Sequence, residues 1–218
     1  MRWGLISLNG TYSSVLELDQ QIKRYVDPRH IEVVLGVDGG CQLLSKLKIN
    51  ATEILGDFDS IVDLEVYKEL WPDARVHTYP AEKDFTDAEL AFDLVKRHAL
   101  DKVVVIGGLG GRADHMLSVL FLLAREENFI LIDEQNYIEK IDAPYYKEMP
   151  EVLVQKRYIS LIPLENGFKG VNLHGFKYPL YEANIKFAET VGISNELSEE
   201  HATVHITEGS GYLIISSD

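Results

Sequence analysis

The chain has 218 residues, 46% of them hydrophobic and 26% charged, which excludes disorder and suffices for one large domain or two modest ones. A formal net charge of −14 excludes non-specific nucleic-acid binding, which needs a cationic footprint. It leaves open a small anionic ligand held through a metal ion and a few placed cations.

Trp3 to Leu8 is a short apolar run ending in the turn signal Asn9-Gly10. Val15, Leu18, Ile22 and Val26 then recur at helical spacing and stop at Asp27-Pro28. Ile31 to Val37 reads as a buried strand ending at Asp38-Gly39-Gly40, and Cys41 to Leu47 as a helix. Thr52 to Leu55 is a strand that delivers Gly56-Asp57-Phe58-Asp59-Ser60, followed by a helix over Leu64 to Leu70 and a strand over Arg75 to Tyr79.

Lys83-Asp84-Phe85-Thr86-Asp87-Ala88-Glu89 comes next. Thr86 with Glu89 three positions on is a capping box, so a helix starts here, with Ala88, Ala91, Phe92 and Val95 as its buried stripe. The strand Lys102 to Ile106 leads into Gly107-Gly108-Leu109-Gly110-Gly111-Arg112-Ala113-Asp114-His115. Met116 to Ala124 is apolar on nearly every face and is expected to be buried. Phe129 to Ile132 closes a series whose alternation predicts an α/β domain with a mostly parallel, doubly wound sheet over residues 1–134.

From 135 to 218 the texture changes. Ile138–Ile141, Tyr158–Pro163, Gly170–Leu173, Ala202–Thr207 and Tyr212–Ser216 read as short strands punctuated by Gly, Pro and Asn, which predicts a smaller all-β sandwich domain. No apolar stretch is long enough to span a bilayer, and the N-terminus lacks the layout of a signal peptide. One cysteine, Cys41, allows no intramolecular disulfide, and a cytoplasmic protein is expected.

Ligands of open parallel sheets bind beyond the carboxyl ends of the strands. Every polar cluster falls at such an end: Asp38, Asp57 with Asp59, Asp84 with Asp87, and Arg112 with Asp114 and His115. Asp57, Asp59 and Asp87 suit one or two hard divalent cations. Asp87 has a second explanation in the helix dipole. Arg112 suits bidentate phosphate contact, with the glycines admitting backbone amides, although the glycine run also reads as a plain flexible loop. His115 beside Asp114 donates to phosphate, acts as acid or base, or merely caps the next helix with it. There is no G-K-[ST] and no G-x-S-x-G, so neither a Walker loop nor a hydrolase triad is expected. Cys41 lacks a neighbouring base and reads as a small buried residue; His201 and His205 lie in a strand-like segment, not on a helix face.

Asp38-Gly39-Gly40, Gly56-Asp57-Phe58-Asp59-Ser60, Asp84-Phe85-Thr86-Asp87 and Gly111-Arg112-Ala113-Asp114-His115, in that order, resemble the thiamine pyrophosphokinase family. Ser160-Leu161-Ile162-Pro163-Leu164, Gly175-Phe176-Lys177-Tyr178-Pro179-Leu180 and Ile193-Ser194-Asn195-Glu196 extend the similarity over nearly the whole chain. The resemblance implies Mg²⁺-dependent transfer of pyrophosphate from ATP to the hydroxyl of thiamine, releasing AMP. It also implies a homodimer whose active sites lie between the α/β domain of one subunit and the sandwich of the other. On that pattern Asp57, Asp59 and Asp87 hold metal, with Asp84 and Arg112 also in the catalytic set. Asp38, Lys83, Thr86, Arg112, Asp114 and His115 fall around ATP, and Ser194 and Asn195 face thiamine. Some family members stack a tryptophan on thiamine; Trp3 and Trp71 both lie in the first half here, which leaves Tyr178, Tyr181 or Phe187 for that part. The competing readings are a pyrophosphokinase for another heterocyclic alcohol such as a pterin, a non-catalytic nucleotide or thiamine sensor, and a D-x-D glycosyltransferase.

Overall fold

The computed structural model describes residues 1–56, 64–79, 84–149 and 157–218. They divide into two compact units, Met1–Leu122 with Asn128–Glu134, and Leu123–Glu127 with Gln135–Asp218.

The first unit carries strands β1 (Trp3–Ser7), β2 (Ile31–Val37), β3 (Glu53–Gly56), β4 (Arg75–Thr78), β5 (Lys102–Ile106) and β6 (Phe129–Ile132). Their order is β4-β3-β2-β1-β5-β6 and every pairing among them is parallel. The chain lays three strands outward from β1, then returns to β1's other side. Leu5, Ile6, Leu35, Ile54, Leu55, Val104, Val105 and Ile106 are all buried. Neighbours in sequence point to opposite faces of a sheet, so such runs show that both faces are covered.

The helices form where the sequence pattern places them. In α1 (Val15–Tyr25) the Ser14 hydroxyl accepts from the Glu17 N–H, and Leu18 and Ile22 turn inward; Asp27 then opens a 3-10 turn over Pro28–His30. Helices α2 (Gly40–Leu47) and α3 (Leu64–Leu70) follow. In α4 (Asp87–Lys96) the Thr86 hydroxyl accepts from the Glu89 N–H at 3.2 Å. Ala91, Phe92, Leu94 and Val95 are its buried residues, whereas Ala88 lines a cleft. Helix α5 (Ala113–Leu123) corrects the sequence reading, because Leu117 and Phe121 are exposed while Val119, Leu122 and Leu123 are buried. A helix laid on a sheet offers it one stripe, and uniform apolarity hides which stripe that is.

The second unit holds β7 (Asn136–Asp142), β8 (Tyr145–Met149), β9 (Tyr158–His174), β10 (Leu180–Ile185), β11 (Ala202–Ile206) and β12 (Glu208–Ser216), all paired antiparallel. Tyr158–Pro163 and Gly170–Leu173 are not two strands but parts of the 17-residue β9. Its first part pairs with β12, which pairs with β7; its last part pairs with β11, which pairs with β8. Three long runs therefore lie side by side: β7 with β8, β12 with β11, and β9. β7 and β8 are interrupted at Ala143-Pro144 and β11 and β12 at Thr207, while β9 runs on at this level with Gly167 and Gly170 at positive φ. There the Ala143 N–H donates to the Gly209 carbonyl at 2.9 Å and the Thr207 N–H to the Lys169 carbonyl at 3.1 Å. Gly209 has φ 106°, and a Cβ on it would lie 2.0 Å from the Gly167 carbonyl oxygen, so this close approach of β12 to β9 requires glycine.

Candidate active site

Beyond the C-terminal ends of β1, β2 and β5 lies a cleft of about 530 Å³ within the first unit. This is where the strand order reverses, the place at which parallel sheets open a crevice. The loops after β1 and β5 run paired above the sheet: the Leu8 N–H donates to the Ile106 carbonyl at 2.9 Å and the Gly10 N–H to the Gly107 carbonyl at 2.8 Å. A Cβ on Gly107, whose φ is 66°, would stand 2.2 Å from the Leu8 carbonyl oxygen. This end of the glycine run is thus tied to β1's loop and is not a slack connection.

Asp38, Thr86, Asp87, Arg112 and His115 line this one cavity. Asp38 ends β2 in the left-handed region, at φ 46°, which a short polar side chain tolerates. Its N–H donates to the Leu55 carbonyl at 2.9 Å and its own carbonyl accepts from the Cys41 N–H at 3.1 Å. A Cβ on Gly56 would be 1.8 Å from Asp38 Oδ1, so the carboxylate lies against the last residue of β3. Asp87 is the first residue of α4, where the helix dipole favours a negative charge. The two acids are hard oxygen donors of the kind a small divalent cation takes. Among the described residues no group of three or more His, Cys, Asp or Glu side chains is placed to hold a metal. Asp57, Asp59 and Lys83 lie outside the described residues.

Asp84 and Asp114 are not part of the lining. Asp114 instead holds Arg112: Nε donates to Oδ1 at 3.1 Å and Nη2 to Oδ2 at 2.6 Å, while Oδ1 also accepts from the His115 N–H at 3.0 Å. The hydrogen bond from Arg112 holds the Asp114 carboxyl below its ordinary range, and Asp114 raises the guanidinium in return. The pair fixes the plane of the guanidinium and leaves it further donors for an anion.

Asn9, Thr11 and Phe85 also line the cleft and were not singled out from the sequence. Asn9 Oδ1 would lie 2.1 Å from a Cβ on Gly39, and Thr11 Oγ1 2.4 Å from one on Gly110, so both pack onto glycine backbone. The rule that found Asp38 and Arg112, a polar residue just past a parallel strand, also points to Asn9. Cys41 is buried, and burial, then Asp38, pushes its thiol up to about 12, which makes it inert.

In the second unit Asn195 is 5% exposed. Its backbone exchanges hydrogen bonds with Ile159 at 2.8 and 3.0 Å. Its side chain is occupied as well: Nδ2 donates to the Tyr178 carbonyl at 2.8 Å, and Oδ1 accepts from the N–H groups of Tyr178 and Glu196, both at 3.0 Å. Ser194 is exposed, with φ 56°, and its N–H donates to Ser160 Oγ at 3.0 Å. Tyr178, Tyr181 and Phe187 are all more than half exposed. Lys177 Nζ stands 5.6 Å from the Tyr178 ring centroid and 2.7 Å from Glu196 Oε1.

Two family models match the chain. One, described as "Thiamin pyrophosphokinase, catalytic domain", covers residues 28–132, and the other, "Thiamin pyrophosphokinase, vitamin B1 binding domain", covers 146–213. The chain is 38% identical over 189 residues to Thiamine pyrophosphokinase of Bacillus subtilis, covering 84% of this chain and 87% of that protein. The crystal structure of Thiamine pyrophosphokinase from Bacillus subtilis superposes with a TM-score of 0.83 at 31% identity, covering 100% of both chains. That of Thiamin pyrophosphokinase from Geobacillus thermodenitrificans gives 0.79 at 31% identity, over 100% of this chain and 98% of that one.

Proposed function

The chain belongs to the thiamin pyrophosphokinase family, and from that premise we infer how its residues divide the work. The enzyme transfers pyrophosphate from ATP to the hydroxyl of thiamine, giving thiamine diphosphate and AMP. In our reading the thiamine oxygen attacks the β-phosphorus, the bond from that phosphorus to the α–β bridging oxygen breaks, AMP leaves with that oxygen, and the hydroxyl proton is released. Such a transfer asks the protein for positioning and charge neutralisation more than for a covalent nucleophile.

The observation that carries this division is the single cleft lined by Asp38, Asp87, Arg112 and His115. Arg112, oriented by Asp114, binds phosphate oxygens; His115, in the first turn of α5, adds a donor beside it. Asp57, Asp59 and Asp87 hold the metal, and the acid-lined cleft beside the end of β3 supports a hard cation there. Mg²⁺ supplies neutralising charge to the polyphosphate when bound. Lys83, Asp84 and Thr86 belong to the ATP side. Ser194 and the Asn195 segment belong to the thiamine side, Ser194 as an exposed residue and Asn195 through Tyr178. This assigns ATP and metal to residues 1–134 and thiamine to 135–218. The strand order reversing at β1 supports a doubly wound first domain, and the all-antiparallel pairing, interrupted at Ala143-Pro144 and Thr207, supports a sandwich for the second. A homodimer with shared sites rests on the family pattern, and a cytoplasmic setting on the single, buried thiol. No helix among the described residues is long and apolar enough to cross a membrane.

The test is a product assay with purified protein, ATP, Mg²⁺ and thiamine, resolving AMP and thiamine diphosphate by chromatography. Equal, metal-dependent amounts of both are expected. AMP formed only with a pterin-type alcohol would replace the acceptor, and thiamine binding without nucleotide turnover would make this a binding protein.

A further inference from the structure

The large apolar side chains of the cleft are mostly withdrawn from solvent: Leu8 is 6% exposed, Val37 2% and Val119 4%. Phe85 lines the same cavity with 54% of its surface exposed. It precedes Thr86, whose hydroxyl caps α4, so the backbone beside the ring is fixed by a hydrogen bond at 3.2 Å. A hydrophobic residue before an N-cap ordinarily packs on the fourth residue of the helix, here Leu90. That packing alone does not account for a ring left more than half uncovered, in a cleft it shares with Asp38, Asp87, Arg112 and glycine backbone.

We propose that Phe85 is a stacking platform for the nucleobase of the phosphate donor and sets the enzyme's preference for a nucleoside triphosphate over a base-less one. An aromatic face accepts any base, because every base has a π-face and stacking needs no hydrogen-bond pattern. The nucleobase is favoured over the pyrimidine ring of thiamine because Phe85 shares its cavity with Arg112, His115 and the glycine run, the groups suited to a polyphosphate. The vitamin B1 binding match, by contrast, begins at residue 146. A cavity of about 530 Å³ is large enough for a nucleotide.

This inference rests on ATP being the donor, and the experiment separates the two. Binding of ATP and of ribose 5-triphosphate, which lacks the base, is measured calorimetrically with Mg²⁺ on the full chain, for wild type, Phe85→Ala, Phe85→Leu and Phe85→Trp. Leu keeps apolar bulk before the helix cap, so a loss in that variant cannot be assigned to α4 fraying. Loss of ATP affinity of about tenfold or more is expected in the Ala and Leu variants. Affinity for ribose 5-triphosphate stays within about twofold in both variants, and Trp restores ATP binding. Equal losses on both ligands, unchanged ATP affinity in Phe85→Ala, or a change confined to the KM for thiamine would overturn the proposal. Wild-type protein that binds ATP in preference to the base-less triphosphate, yet forms no thiamine diphosphate, would refute the assigned reaction and leave Phe85's role standing. Wild-type protein binding neither ligand overturns both.

Discussion

The Asn195 side chain holds the backbone of Tyr178 at both ends, donating to its carbonyl at 2.8 Å and accepting from its N–H at 3.0 Å. An amide matched to a peptide group in this way cannot also turn to a ligand without leaving buried partners unpaired. Asn195→Ala is therefore expected to lower unfolding free energy by about 1–3 kcal/mol. It should also raise the KM for thiamine more than the KM for ATP, because the exposed Tyr178 loses its support. Urea unfolding and steady-state kinetics check the two effects; equal changes in both KM values would dissociate Asn195 from the thiamine side.

Arg112→Ala removes the fork that Asp114 orients. A drop in kcat/KM for ATP of about a hundredfold or more is expected. Arg112→Lys should recover little, since an ammonium lacks the planar pair of donors. Asp114→Asn should give an intermediate loss. Initial rates at varied ATP distinguish the three, and a wild-type ATP dependence in Arg112→Ala would return Arg112 to the status of a surface residue.

Asp87→Asn keeps the shape of the first residue of α4 and removes its charge. Turnover is expected to fall by about two orders of magnitude, with the thermal midpoint nearly unchanged. Raising Mg²⁺ should recover part of the loss if the residue binds metal. Asp59→Asn should behave alike, and a wild-type rate in either variant removes that acid from the mechanism.

Asp27 carries a second carboxylate held by arginine. Arg29 Nε lies 3.0 Å from both its oxygens, and these hydrogen bonds, chiefly from the side chain, hold the carboxyl at about 2. A pKa lowered in the folded state contributes stability that is present above the ordinary carboxylate value and is lost as pH falls through the folded one. The contribution of Asp27 should thus disappear between pH ~4 and pH ~2. Carbon-detected NMR titration should place its midpoint near the bottom of that window and move it upward in Arg29→Ala. An unmoved midpoint would show that Arg29 is not the cause.

What the sequence made legible was whatever has one physical explanation. Strands buried on both faces read as unbroken apolar runs, and β1, β2, β5 and β6 were found on that signal. By contrast β8 (Tyr145–Met149) and β10 (Leu180–Ile185) are short and mixed in polarity, each with one buried residue at its end, and they carry no apolar run to mark them. Glu165-Asn166-Gly167 looks like a turn in sequence but lies inside β9, with Gly167 at φ 71°. At the site, residue type identified Asp38, Asp87, Arg112 and His115, which line one cavity. Residue type does not reveal which way an amide faces: the family resemblance sets Asn195 in the thiamine-facing segment, and only the structure shows its side chain holding Tyr178. Nor does residue type mark Phe85, a spacer in the motif, as a ring left open to the cleft.

The central place of β12 in the second unit sets the order in which the chain can acquire structure. β12 lies between β7 and β9 and is the last of the three to be synthesised. Until it emerges, β7 lacks its partner in this unit, and the apolar face of the long β9 has only β10 and β11 beside it. Pairings of such wide sequence separation form slowly and leave sticky edges exposed meanwhile. The first unit, whose strands are complete by Ile132, can close far earlier on the ribosome. Ribosome-stalled chains of increasing length should thus gain protease resistance in two steps, the second arriving only when Glu208–Ser216 has left the exit tunnel.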